Sequence, residues 1–463
     1  MTQQQNPRSP VSSPQRRCAL LRKFLLGLAL GILVLCVLET VLWLFCVATG
    51  QDWTVNPLPA SRPEEVLLPH GDQLRFFPQR HQSEDEEARL VVFSPKPTRQ
   101  RVIVIGESFV YGLGLAEEEA WPARLEEHLD GDVEVLNFGR VGSFASLLVP
   151  VLEAGLTLEP DVIILAIGNN EHTMTTFYSG WAGRYPNAVY SLSEVLGRIR
   201  IYGLLHRLLI GSARVEETAD RSRHEFDAPI DQDIYDIRRR PPGLDTFPDR
   251  VVRQEVTEAL ESEQRLKERV FRALLREMVE DIQGQGVRVV LTTLPVDLTK
   301  QPMLSGMYDG DEAVYRAIGK KFLKGHGFSE IEQLARKELS EYQLQRFAHF
   351  QHARGMCLLH QGQENEAVEA LRLAMEWDLV PDITPGLNEI IRSVAREHEC
   401  LLVDLARLVE ETYLNNPSAF FREFDSLHVN AEGADVVATH VAAALNPAST
   451  GSWSFLRIED DVR

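Results

Sequence analysis

The chain has 463 residues, 44% of them hydrophobic, which is enough apolar material for a large core and excludes disorder as its dominant state. Its 68 acidic residues outnumber 48 basic ones, for a formal charge of -20, so a general affinity for phosphate backbones is excluded and no nucleic-acid partner is expected. The five cysteines, Cys18, Cys36, Cys46, Cys357 and Cys400, form no Cys-x-x-Cys pair, which leaves at most one bridge, Cys357 to Cys400, in an oxidising compartment.

In chain order, the first predicted element is an apolar run over residues 24–47. At ~1.5 Å rise per residue it matches a bilayer core of ~30 Å, and we assign a transmembrane helix to 24–48 behind a basic tail, 1–23. Arg8, Arg16, Arg17, Arg22 and Lys23 precede the run without any acid, whereas Asp52, Glu64 and Glu65 follow it against Arg62. That asymmetry predicts a cytoplasmic N-terminus and a periplasmic or extracellular remainder. With those five cations and Glu39 set aside, 43 basic residues face 67 acidic ones in the exported part. A cleaved signal peptide is the rival reading, since Cys46-Val47-Ala48 offers small residues for cleavage, but the run exceeds the usual ~7–15-residue apolar region. Glu39 inside the run would cost ~2.5–3.5 kcal/mol as a lone charge, so it is expected to be protonated or to face a partner helix.

Residues 49–100 hold seven prolines after Gly50 (Pro57, Pro59, Pro63, Pro69, Pro78, Pro95 and Pro97) and the patch Glu84-Asp85-Glu86-Glu87, and read as a spacer without regular structure. Then strands alternate with helices: strand 101–106, helix 117–129, strand 133–138, helix 143–156 and strand 161–167. This alternation predicts an α/β fold with a parallel sheet over 101–446. A long amphipathic helix, 251–283, and a strand, 287–294, resume the pattern after an insertion at about 175–250; within it, 192–210 has helical apolar spacing, read as packing inward rather than touching lipid headgroups. A second insertion occupies about 299–399. Its part 328–379 carries Gly355, Leu358, Ala367, Leu371 and Ala374 at spacings that resemble one tetratricopeptide hairpin, either a surface for a protein partner or an ordinary helical insertion. Helix 387–397, strand 401–405, helix 431–445 and a tail, 447–463, complete the chain.

Ser108 follows the first α/β strand directly in Gly106-Glu107-Ser108, which places its hydroxyl at the carboxyl edge of the sheet, where such folds build their sites. A serine there often only caps a helix, and it is inert as a nucleophile without a base. Asp425-Ser426-Leu427-His428 offers one: a carboxylate three residues before an imidazole can hold the Nδ1 proton and leave Nε2 free. No Gly-x-Ser-x-Gly elbow, Gly-x-Gly-x-x-Gly loop or phosphate loop occurs. Glu397-His398-Glu399 and Glu171-His172 lack a second histidine at zinc spacing, His349, His352 and His360 lie in the helical insertion, where packing or surface exposure explains them, and no cofactor or metal is called for.

Asn137-Phe138-Gly139-Arg140-Val141-Gly142 and Gly168-Asn169-Asn170-Glu171 follow the next two strands, so Ser, Gly, Asn and His occur in that order at strand ends. This pattern resembles the SGNH hydrolases, also called the GDSL esterase/lipase family. The resemblance implies a three-layer, flavodoxin-like parallel sheet, Ser108 as nucleophile, His428 as base and Asp425 as its orienting acid. It also implies an oxyanion hole from Ser108, Gly142 and Asn170, with Gly139 as an alternative donor. Glu107, Glu171 and Val429 depart from the family pattern, and the resemblance covers about 100–175, 285–298 and 400–446. The function it implies is a membrane-anchored hydrolase of carboxylic O-acyl esters on envelope glycans or lipids, working through an acyl-serine. O-acyl transfer to a glycan and a catalytically vestigial scaffold are the alternatives.

Overall fold

The computed structural model describes residues 14–49, 67–70, 73–76, 91–93, 100–130, 132–171, 192, 195–202, 204, 258–300, 302, 317, 327–378, 384–423 and 425–446. The chain divides into two compact units, Met1–Pro57 with Val189–Arg223, and Leu58–Ala188 with His224–Arg463.

The first unit is built on helix α1 (Pro14–Thr49), whose Leu25–Thr49 portion is long and apolar enough to cross a membrane. Thr40 and Thr49 donate their hydroxyls to the carbonyls of Cys36 and Phe45 at 2.8 Å, so neither needs water. Most of the span's apolar side chains are exposed, as a lipid-facing surface would be.

The second unit begins with a three-stranded antiparallel sheet, β1 (Leu67–His70), β2 (Gln73–Phe76) and β3 (Val91–Phe93), inside the segment expected to be an irregular spacer. The expectation gave the prolines too much weight. Two short apolar runs around Gly71-Asp72 are a hairpin signal, and Phe76 supplies an anchor by stacking on Phe138 at 4.5 Å.

The remainder is the α/β body: β4 (Gln100–Gly106), α2 (Ser108–Tyr111), α3 (Trp121–His128), β5 (Val133–Gly139), α4 (Ala145–Leu156), β6 (Val162–Ala166), α5 (Glu258–Gly284) and β7 (Arg288–Thr292). Then come α6 (Phe328–Glu338), α7 (Glu341–Gln345), α8 (Ala348–His360), α9 (Glu364–Glu376), α10 (Pro385–Glu397), β8 (Leu401–Val403), α11 (Leu405–Thr412) and α12 (Ala431–Leu445). Strands β5-β4-β6-β7-β8 lie side by side in that order, all parallel. This is the 2-1-3-4-5 order of a doubly wound, flavodoxin-like sheet. Right-handed crossovers then put α3 and α4 on opposite faces, because the direction of winding reverses after β5. Central strand β4 is covered on both sides, with Val102, Ile103, Val104 and Ile105 buried, each worth about 1.5–3 kcal/mol relative to exposure.

In the second insertion, α8 and α9 form a helical hairpin in which Gly355, Ala367, Leu371 and Ala374 are buried. A Cβ on Gly355 would come within 2.5 Å of Leu371 Cγ, so only glycine allows this approach. Phe347 and Phe350 join Ile331, Ala335, Leu339 and Leu344 in a small core beside it. The 328–379 part is bonded to the elements around it: Arg372 Nε donates to Glu410 of α11 at 3.0 Å, Glu376 accepts from Gly386 N of α10 at 2.9 Å, and His352 Nε2 meets the Thr299 carbonyl at 2.8 Å. His349 and His352 are thus packing residues whose burial lowers their basicity, that of His349 to about 3. Cys357 and Cys400 are both free thiols, on α8 and on the turn before β8, and the bridge allowed by the sequence does not form.

Candidate active site

The strand order reverses at β4, and the carboxyl ends of β4 and β6, where such sheets build their sites, receive the chain's polar residues. The β4 strand ends at Gly106, where a Cβ would strike the Ala166 carbonyl at 2.3 Å, so the two strand ends close together only around a glycine. Glu107 occupies the N-cap position of the short helix α2 without a side-chain capping bond, and Ser108 is the helix's first residue, 5% exposed. A first helical residue has no intrahelical acceptor for its N–H, which leaves the Ser108 amide available at the site.

Between Phe421 and Val429, which pair as an isolated antiparallel bridge, the chain makes a tight loop carrying Asp425 and His428. Arg422 N donates to the His428 carbonyl at 3.0 Å, Asp297 N to the Ser426 carbonyl at 2.8 Å, and Asn430 caps α12 through Gly433 N at 2.7 Å. The loop is therefore held from three sides. Asp425 Oδ1 accepts from Leu427 N and His428 N at 3.0 and 2.9 Å, while Oδ2 lies 2.8 Å from His428 Nδ1. Burial alone would raise the Asp425 carboxyl, but the His428 hydrogen bond, its charge and the two amides hold it well below the usual carboxylate range. An ionised Asp425 can only accept, so it holds the imidazole as the Nδ1–H tautomer, leaving Nε2 as acceptor toward Ser108 Oγ at 2.9 Å. Ser108, His428 and Asp425, 320 and 3 residues apart in sequence, thus stand in one hydrogen-bonded line.

Gly142 lies in the loop after β5 with φ of 67°, in the left-handed region, and a Cβ there would meet nothing within 4 Å. Its N–H takes no hydrogen bond among the described residues. Gly139 serves a different purpose: a Cβ on it would sit 2.1 Å from Tyr111 N, so it lets β5 pass the nucleophile helix. Asn137 ties the same pieces together, donating to the Val110 carbonyl at 3.0 Å and accepting from Gly139 N at 2.9 Å.

Asn170 Nδ2 donates to the Ser143 carbonyl at 2.9 Å and to Glu107 Oε2 at 3.3 Å, whereas Asn169 Nδ2 points to Ser108 Oγ at 3.4 Å. Of these bonds, the one to the nucleophile comes from the side-chain amide of Asn169. Glu107 is the reason: its carboxylate takes the backbone N–H groups of Gly168 and Asn169, both at 2.9 Å, and so sets how the turn after β6 presents its side chains.

Behind this turn, Glu107 and Glu171 are both fully buried. Burial pushes Glu107 well above the ordinary carboxylate range and the Glu171 charge adds to this, against hydrogen bonds from Gly168, Asn169 and Asn170. Burial raises Glu171 to about 7, opposed by the amide of Ala145 at 2.7 Å and the charge of buried Lys267. Sequence reading saw these glutamates only as departures from a pattern. They are the residues that hold the two loops flanking Ser108.

No protein-family model and no curated protein matches the chain. Among solved structures, it is similar to an acetyl xylan esterase at 15% identity and a TM-score of 0.33, over 75% of this chain and 100% of that one. A lipase/acylhydrolase from Enterococcus faecalis aligns at 11% identity and a TM-score of 0.32, over 75% and 95% of the two chains. A GDSL-like lipase from Bacteroides thetaiotaomicron aligns at 11% and 0.31, over 75% and 89%. Scores this low carry no weight about activity.

Proposed function

We propose that the chain is a serine hydrolase of the SGNH type that cleaves carboxylic O-acyl esters through an acyl-serine, held at the membrane by α1 with its α/β body on the periplasmic or extracellular side. The observation that carries the reading is the line from Asp425 through His428 to Ser108, at 2.8 and 2.9 Å, at the carboxyl edge of the sheet. His428 Nε2 takes the Ser108 proton as Oγ attacks the ester carbonyl, and the Asp425 carboxylate stabilises the imidazolium that forms. The oxygen that becomes negative is met by the Ser108 and Gly142 N–H groups and the Asn169 amide, each worth about 2.7–4 kcal/mol. His428 then protonates the departing alcohol, and water repeats the sequence to free the acid. O-acyl groups on envelope glycans or lipids fit the expected compartment.

The test is labelling of the full chain with a fluorophosphonate, followed by a panel of acetyl, butyryl and long-chain esters. Wild type should label and turn over, and Ser108→Ala should do neither. Equal hydrolysis by Ser108→Ala would refute the nucleophile, and a chain that neither labels nor turns over would be a scaffold. Product analysis with a glycan acceptor separates hydrolysis from O-acyl transfer.

A further inference from the structure

Glu39 is out of place by composition, a carboxylate in the middle of an apolar run, and the structure supplies its partner. Glu39 Oε1 accepts from Arg200 N at 2.9 Å and Arg200 Nη1 at 3.3 Å, and Oε2 accepts from Ile201 N at 3.0 Å. Of the described helix side chains from residue 25 onward, only Glu39, Leu42 and Cys46 are covered. They stand at i, i+3 and i+7 on one stripe of α1, so the helix is overlaid along one side for about 10 Å of its axis. The segment that brings Arg200 has its own exposed apolar residues, Leu192 at 56%, Val195 at 62% and Ile199 at 36%, matching the exposure of the span beside it. The inward packing expected for this stretch holds for Gly197, which is buried, and not for those three.

Depth follows from the helix geometry. Glu39 precedes Thr49, the last residue of the span, by ten residues, or about 15 Å along the axis, half of a ~30 Å hydrocarbon core. A guanidinium reaching that level is tolerated beside a carboxylate that neutralises it and accepts the neighbouring backbone donors. In the sequence the segment lies between β6 and β7, which are adjacent strands of one sheet.

We propose that residues 195–202, with Leu192 before them, belong to a re-entrant element embedded in the outer half of the bilayer against α1, with Arg200 paired to Glu39 and with Leu192, Val195 and Ile199 facing lipid hydrocarbon. The proposal rests on reading α1 as a membrane span. It also requires that α1 be retained, because a cleaved signal would leave Arg200 without its carboxylate.

The test uses the full chain with its five cysteines replaced, reconstituted in phosphatidylcholine–phosphatidylglycerol vesicles, with single spin labels at Val195, Ile199, Val41 and the exposed Lys337. Labels at Val195 and Ile199 should collide with oxygen and be shielded from a water-soluble nickel chelate, as the Val41 label in the span is, whereas the Lys337 label meets the chelate freely. Nickel access at Val195 and Ile199 with a shielded Val41 would overturn the embedding alone; nickel access at Val41 as well would overturn the membrane reading with it. Glu39→Leu should lose the shielding at Val195, and Glu39→Leu with Arg200→Leu should regain it. Shielding unchanged by Glu39→Leu would refute the pairing as what holds the segment.

Discussion

Exchanging the roles of two neighbouring asparagines is the sharpest test of the site. In Asn169→Ala, the amide 3.4 Å from Ser108 Oγ is lost, while the Glu107 hydrogen bonds to the Gly168 and Asn169 backbone remain, because they use main-chain N–H groups. The turn should therefore keep its shape, and the deficit should be confined to the charge developing in the transition state: about 10²–10³ in kcat, or 2.7–4 kcal/mol, with KM little changed. In Asn170→Ala, the lost bonds run to the Ser143 carbonyl at 2.9 Å and to Glu107 at 3.3 Å. That removes support from a buried carbonyl and a buried carboxyl, a stability cost of about 1–3 kcal/mol, with kcat falling less than in Asn169→Ala. The assay is steady-state hydrolysis of a short-chain ester beside thermal melting of each variant, with fluorophosphonate labelling to verify that Ser108 is still poised. If Asn170→Ala loses the 10²–10³ and melts normally while Asn169→Ala turns over like wild type, the oxyanion assignment drawn from this geometry is wrong and the motif-based one is right.

Asp425→Asn should keep the loop but allow the side chain to donate toward Nδ1, favouring the wrong tautomer; a loss of up to ~10⁴ in kcat is expected, and a loss below tenfold would mean that another acceptor orients His428. Glu171 has a folded-state pKa of about 7 against an ordinary 4.5, so between those values the native state binds more protons than the unfolded one, and stability falls as pH rises, by up to about 3 kcal/mol. Glu171→Gln should flatten the melting temperature between pH 5 and pH 8, and an equal slope in wild type and variant would remove the argument. Gly355→Val should overpack the α8–α9 hairpin against Leu371 by about 1–3 kcal/mol and, because the hairpin is bonded to the body through Arg372, Glu376 and His352, lower a single melting transition rather than split it.

What was legible in the amino-acid sequence was whatever depends on neighbours along the chain. The β-branched runs at Val102–Ile105 and Val162–Ala166 read as buried strands, and their alternation with helices placed Ser108 and the Gly142 and Asn169-Asn170 turns at one sheet edge. The Asp425–His428 contact spans three residues of one turn, a separation that a local reading of the sequence can propose. Folding in three dimensions decided the rest, because the forces involved join residues far apart in the chain. Which asparagine faces Ser108 depends on Glu107 capturing amides more than 60 residues away. The three short strands within the proline-rich stretch are anchored where Phe76 stacks on Phe138. Glu39, a misfit in its own helix, is satisfied by Arg200, 161 residues later, and no local pattern can name a partner that only the packed chain brings within hydrogen-bond distance.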